Sequence, residues 1–167
     1  MVAEIGIFSD SHDNLEAIRK AVDYFNNQKV ELVIHAGDLV SPFAVSELAK
    51  LNMPLKIIFG NNEGSRQWIR DRLQEDMKTD ISDFIELEIE ARKIAVYHGT
   101  IAKITESLLK SAEYDLVVTG HTHEQLIEKA GDTVHVNPGE TCGYLTGKQT
   151  VAKFDPNSMK AEIVSLN

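Results

Sequence analysis

Apolar and polar positions along this chain repeat with two different periods, and the places where the period changes outline its elements. Apolar runs over 3–9, 31–36 and 54–60 predict strands. Between the first two, Leu15, Ile18, Val22 and Phe25 recur at spacings of three, four and three. That makes a single apolar stripe and predicts a helix over 14–28, with Asp13 and Glu16 resembling a capping box at its start. A second helix is predicted over 42–51, with Ser41 as N-cap and Pro42 at the first helical position, where a missing N–H costs little. A β-α-β-α-β opening implies parallel strands joined by right-handed crossovers.

After a third predicted helix over 65–75 the pattern changes. Ile85, Leu87 and Ile89 alternate with Glu86, Glu88 and Glu90, the mark of a strand with one wet face. Ala91-Arg92 turns the chain into a strand over 93–98, followed by a helix over 101–111 and a strand over 115–119. The remainder reads as short antiparallel strands near 124–129, 133–137, 148–154 and 161–166. Parallel βα units followed by a β meander predict an α/β protein with two sheets, each covered on its outer side by helices. With 167 residues and no repeat, low-complexity tract or linker, one domain over 1–167 is expected.

Candidate chemistry lies where the apolar runs stop. They end at Ser9-Asp10-Ser11-His12, at Gly37-Asp38, at Gly60-Asn61-Asn62-Glu63, at His98, at Gly120-His121-Thr122-His123 and at Asn137-Pro138-Gly139. The C-terminal ends of such strands share one sheet edge, where ligands of open α/β sheets bind. Asp10 and His12 stand two apart in what reads as extended chain, so both side chains are expected to face one ion. Asp38 has two oxygens and can bridge two cations, and Asn61 offers a neutral oxygen. Turn chemistry accounts for each Asp and Asn alone. It does not account for four of the six histidines, His98, His121, His123 and His12, falling at strand ends. Two Asp, one Asn and four His are enough to hold two metal ions. Imidazole suits Zn, Fe, Ni and Cu, and mixed nitrogen and oxygen shells also accept Mn. His35 and His135 lie inside strands and read as packed or supporting residues. Asn137-Pro138-Gly139 reads as a structured loop at the rim of the site.

Composition narrows the function classes. The formal charge of −9 argues against non-specific binding to a nucleic-acid backbone, which needs a surplus of Lys and Arg. It leaves room for a small phosphorylated substrate, since bound cations reverse the local sign. Cys142 is the single cysteine, so no intrachain disulfide forms, which fits a reducing compartment. No charged segment followed by an apolar one opens the chain, and no apolar run approaches the ~20 residues of a membrane span. A cytoplasmic protein without membrane partners is the expectation.

Taken in order, Asp10-Ser-His12, Gly37-Asp38, Gly60-Asn61-Asn62-Glu63, His98 and Gly120-His121-Thr122-His123 resemble the signature of the calcineurin-like metallophosphoesterases, in particular their small single-domain bacterial and archaeal phosphodiesterases. The resemblance implies a four-layer α/β/β/α sandwich of two mixed sheets. It implies one metal on Asp10, His12, Asp38 and His123, and another on Asp38, Asn61, His98 and His121. It also implies attack on a phosphate ester by a hydroxide bridging two divalent ions, Mn foremost, with Ni, Fe, Zn or Co as alternatives. Asp10 and Asp38 then leave a net charge of about +1 at the centre, hydroxide included, which attracts a phosphodiester. One departure stands out. The family commonly has His after the Gly-Asn pair, and this chain has Asn62, which can contact a phosphate but cannot release a proton at neutral pH. Glu63 reads as a turn or supporting residue. The competing functions are a catalytically weak protein-interaction scaffold of the same fold, like the phosphoesterase-like subunit of retromer, a phosphomonoesterase or nucleotidase, and a metal-dependent amide hydrolase. The expected partner is a small phosphodiester rather than duplex nucleic acid, and self-association is left open.

Overall fold

The computed structural model describes residues 4–167. Two mixed β-sheets pack face to face. The first has the strand order β11-β10-β1-β2-β3-β4 and the second β5-β6-β7-β9-β8. In chain order, β1 (Glu4–Phe8), α1 (Leu15–Asn27), β2 (Val30–His35), a 3-10 turn at Pro42–Ala44 running into α2 (Val45–Leu48), and β3 (Leu55–Ile58) make the parallel opening. Then come α3 (Arg66–Met77), a short β4 (Ile81–Ser82), β5 (Phe84–Ile89), β6 (Arg92–Tyr97), α4 (Ala102–Ser111) and β7 (Leu116–Val118). The chain finishes with β8 (Gln125–Ala130), β9 (Thr133–Pro138), β10 (Thr150–Asp155) and β11 (Lys160–Ser165). Residue 3 of the expected first strand lies outside the described residues.

Strand periodicity sorts the core into two layers. Ile5 and Ile7 of β1, Ile34 of β2 and Ile58 of β3 point between the sheets, against Ile94, Val96, Leu116, Val118, Val134 and Val136. Phe8, Val33 and Ile57 point the other way, onto Ile18, Val22 and Phe25 of α1, Leu48 of α2, and Ile69 and Leu73 of α3. The stripe foreseen for the first helix is thus its buried face. Helix α4 lies over the outer side of the second sheet and shares a cavity with Thr119, Leu126 and His135, but none of its residues is buried.

The structure corrects several local expectations. The cap of α1 is Asn14, whose Oδ1 accepts the Ala17 N–H at 3.2 Å. Asp13 instead accepts the Ser41 N–H at 3.0 Å and so joins two loops. The helix expected over 42–51 is only a 3-10 turn and one α-helical turn, because the chain must reach β3 within a few residues. The expected terminal meander is divided. The β8-β9 hairpin joins the second sheet, with β9 parallel to β7, whereas β10 returns to the first sheet and runs antiparallel to β1. Antiparallel signatures give direction between neighbours but not the sheet a hairpin joins, and residues 139–149 form the passage between the two.

Candidate metal centre

All the strand-end segments singled out from the sequence meet at one edge of the two sheets. The loop after β1 is laced to the loop after β2 by Asp10 N–H to Gly37 O at 3.0 Å, His12 N–H to Asp38 O at 3.0 Å and Asp13 N–H to Leu39 O at 3.1 Å. From the second sheet, the Gly120 N–H donates to His98 O at 2.9 Å. The sheets are stitched together by Thr141 N–H to Ser9 O at 2.9 Å and Cys142 N–H to Asp10 O at 3.1 Å. Asp10, Asp38 and His98 are buried, whereas Asn61 and Asn62 face solvent.

The chain does not reach this geometry in extended conformation. Asp10, His12, Asp38, His121 and His123 all have positive φ, between 42° and 69°. Such values are uncommon for residues other than glycine and collect at functional sites, where surrounding contacts enforce them. Asp10 and His12 therefore converge through a left-handed turn and not through strand alternation, which corrects the reason for which they were paired. Val40, β-branched, has φ 89° in the same cluster of loops.

Close approach is built in at Gly60 and Gly120. A Cβ on Gly60 would lie 2.1 Å from Asp38 Oδ1, and one on Gly120 would lie 2.0 Å from Ser9 Oγ and 2.5 Å from Asp10 Oδ2. The backbone of the strand-end loops thus presses directly on the two aspartates.

Side-chain atoms converge in two overlapping groups. Asp38 Oδ2 is 3.4 Å from His12 Nε2 and 3.4 Å from His98 Nε2. Asp10 Oδ1 is 3.8 Å from His12 Nε2, 4.0 Å from His98 Nε2 and 3.4 Å from His123 Nε2. Asn61 Oδ1 lies 3.1 Å from His98 Nε2 and 2.9 Å from His121 Nδ1. The His98 Nδ1–H donates to Ala36 O at 2.7 Å, so in the neutral ring Nε2 is a bare acceptor. Acceptors therefore face acceptors: imidazole nitrogen, carboxylate oxygen and amide oxygen. His12 Nε2 is buried with no hydrogen-bond partner among the described residues. Donor atoms ~2.1 Å from a common cation sit ~3.0–3.4 Å apart in octahedral or tetrahedral shells, close to the separations here. The donor set fits metal ions.

Charge supports the same conclusion. Burial lowers the affinity of His98 for a proton, but the Asp38 and Asp10 carboxylates outweigh it and hold the ring above its ordinary 6.5. Asp10 raises His12 likewise, against burial. Burial pushes Asp38 up, and the His98 ring in its protonated form together with hydrogen bonds from Asn62 outweigh it, leaving the carboxyl far below its usual range. The cluster demands positive charge.

Asn62 donates twice to Asp38, through its N–H to Oδ1 at 2.8 Å and its Nδ2–H to Oδ2 at 2.7 Å, leaving one amide hydrogen. Glu63 accepts from Leu39 N–H at 3.1 Å and Gly60 N–H at 2.8 Å, so it closes the turn. His35 is fully buried, and burial lowers it to about 4. Its Nδ1 accepts the Gly37 N–H at 3.2 Å, which leaves the Nε2–H to donate to Ser11 Oγ at 2.9 Å. His135 pairs with Thr119 Oγ1 and Glu128. Asn137 and Pro138 belong to β9, a correction to the rim loop expected there. The Asn137 Nδ2 clamps the histidine loop through Gly120 O at 2.8 Å and Thr122 Oγ1 at 3.1 Å. Sequence reasoning passed over Ser9, whose Oγ donates to Asp10 Oδ2 at 2.6 Å, and Glu140, which holds His123 Nδ1 at 2.6 Å. Neither carries a motif; each is visible only through what it touches.

The profile of the calcineurin-like phosphoesterase superfamily domain matches residues 3–159. The chain belongs to that superfamily. This calcineurin-like chain is 44% identical over 156 residues to a phosphodiesterase of Methanocaldococcus jannaschii, covering 91% of this chain and 92% of that protein. It is 32% identical to a probable metallophosphoesterase of Methanothermobacter thermautotrophicus, covering 96% and 91%. The solved structure of an archaeal phosphodiesterase superposes with a TM-score of 0.93 at 41% identity, covering 97% of this chain and 99% of the other. Vacuolar protein sorting 29 from Cryptosporidium parvum shares the fold, with a TM-score of 0.71 at 15% identity over 98% and 96% of the two chains. The four-layer arrangement is therefore that of the calcineurin-like phosphoesterases. No helix among the described residues is long and apolar enough to cross a membrane.

Proposed function

We propose that this chain hydrolyses small phosphate diesters at a centre of two divalent transition-metal ions, with manganese first and nickel, iron, zinc and cobalt as alternatives. The observation that carries the proposal is the position of Asp38 Oδ2, 3.4 Å from both His12 Nε2 and His98 Nε2. A carboxylate placed between these two histidines could be held in common by two ions. Asp10, His12, Asp38 and His123 are assigned to one ion, and Asp38, Asn61, His98 and His121 to the other. When bound, the ions supply an activated water at neutral pH and neutralise charge on the non-bridging phosphate oxygens. The relative named a phosphodiesterase, at 44% identity, supports a diester as substrate.

The chain's own residues set the rest of the chemistry. Ala36 O fixes the His98 tautomer, so its Nε2 lone pair points inward. Asn62 holds Asp38 and offers its remaining amide hydrogen to a phosphate oxygen. An amide cannot give up a proton to the departing oxygen, so leaving groups that depart as stable anions, such as aryl oxides, are favoured. The formal charge of −9 disfavours duplex nucleic acid as substrate, and the lone Cys142 fits the cytoplasmic setting we assign. A complete donor set argues against the scaffold reading.

The test is a metal-by-substrate activity matrix on exhaustively chelated protein, with His98→Ala as control. Chelation is expected to abolish diester hydrolysis and manganese to restore it. His98→Ala is expected to lose at least ~10²-fold in kcat/KM. Full activity in the chelated protein would end the proposal.

A further inference from the structure

We propose that Glu140 is the positioning residue of His123: it fixes which imidazole nitrogen faces the metal centre, and it ties that choice to the segment carrying Leu145 and Thr146. The inference rests on the two-ion reading and extends it to a residue outside the seven donors.

Glu140 is fully buried, and its ring of partners consists of hydrogen-bond donors. Oε2 accepts from His123 Nδ1–H at 2.6 Å, Leu145 N–H at 3.1 Å and Cys142 Sγ at 3.4 Å. Oε1 accepts from Leu145 N–H at 2.9 Å, Thr146 N–H at 2.5 Å and Thr146 Oγ1–H at 2.7 Å. No lysine or arginine pairs with it among the described residues. A buried carboxylate is costly unless its oxygens are well occupied, and here each oxygen has several donors. A neutral acceptor would serve the loop alone. What requires a second accepting oxygen is the histidine. A carboxylate can only accept, so Nδ1 of His123 must carry the proton, and Nε2 keeps its lone pair toward Asp10 Oδ1 at 3.4 Å. A ligating histidine held in this way by a carboxylate is better oriented and more basic.

Substitution by glutamine separates the two roles. Three donors from Leu145 and Thr146 call for an oxygen on the loop side. The amide oxygen of Glu140→Gln satisfies them, and its NH2 group is then turned toward His123. Donor meets donor unless the ring takes the other tautomer, with Nδ1 accepting and Nε2 protonated. A protonated Nε2 cannot bind a cation. Glu140→Gln thus keeps the loop anchored and removes one of four donors from a single ion.

The experiment is calorimetric titration of chelated wild-type and Glu140→Gln protein with manganese alone, with metal content counted independently. Wild type is expected to take two ions. Glu140→Gln is expected to keep the affinity of one ion and to weaken the other by ~10–100-fold. Equal weakening of both ions, or binding of both within twofold of wild type, would overturn the inference. A wild type that takes no manganese would instead remove the proposed function itself, so the two failures are distinct. A second measurement does not depend on the variant folding: nitrogen NMR of His123 in metal-free wild type at pH 8. A proton on Nδ1 supports the assignment, and a proton on Nε2 overturns it.

Discussion

Gly120→Ala would test how tightly the backbone grips the proposed metal centre. The new methyl carbon would sit 2.0 Å from Ser9 Oγ and 2.5 Å from Asp10 Oδ2, where ordinary contact begins at about 3.4 Å. Relief requires shifts of about 1.4 Å and about 0.9 Å respectively. Ser9 can rotate, but only by giving up its 2.6 Å hydrogen bond to Asp10. Asp10 is fully buried, and its Oδ2 also accepts the His121 N–H at 3.0 Å, so it moves only with its loop. A displacement of about 1 Å at a reacting centre costs ~10² in rate. Overpacking of this kind costs ~1–3 kcal/mol of stability, or roughly 2–12 °C in Tm for a chain of this size. The assay pairs kcat/KM on a bis-aryl phosphodiester with manganese stoichiometry and with Tm of the chelated protein. Gly131→Ala is the control, since its φ of +64° makes a side chain unfavourable while nothing lies within 4 Å of the added carbon. It is expected to lose stability but not rate. If Gly120→Ala binds both ions and retains kcat/KM within threefold, the backbone does not position Asp10 as described.

Two further outcomes follow from the supporting residues. His35 is held at about 4 against an ordinary 6.5, so between those values the unfolded chain binds more protons than the folded one. Stability is therefore lost as pH falls from 6.5 toward 4, by roughly 3 kcal/mol in all. His35→Gln, which can still accept from Gly37 and donate to Ser11, is expected to flatten the pH dependence of Tm in metal-free protein; identical slopes for variant and wild type would refute it. Asn62→His is expected to raise hydrolysis of alkyl diesters relative to aryl diesters by at least ~10-fold, through protonation of the leaving oxygen. An unchanged ratio means that protonation does not limit the poor substrates.

The first three strands and their parallel direction were legible in the sequence because their apolar runs are continuous and separated by one clean helical stripe; the two-residue β4 was too short to leave such a run. The fate of the last strands was not legible. Short apolar runs in residues 124–166 mark the strands, but nothing local distinguishes joining the second sheet from returning to β1. The convergence of the seven proposed donors was legible because unusual residue types recur at strand ends. Their conformation was not: positive φ at Asp10, His12, Asp38, His121 and His123 is imposed by hydrogen bonds from other loops, and local propensity opposes it. Glu140 escaped notice for a related reason. A glutamate after Asn-Pro-Gly reads as a solvated turn, and its burial arises only when residues 144–146 fold back over it.

The return of β10 to pair with β1, and the bonds from Thr141 and Cys142 to Ser9 and Asp10, also govern when during folding the centre comes into being. Every proposed donor has been made once residue 123 is added, yet Asp10 is gripped from its far side only by Cys142, more than 130 positions downstream. A nascent chain exposes loose histidines and carboxylates of no fixed spacing. At the proposed metal centre, selection among cations is therefore expected to begin only once β10 has paired with β1.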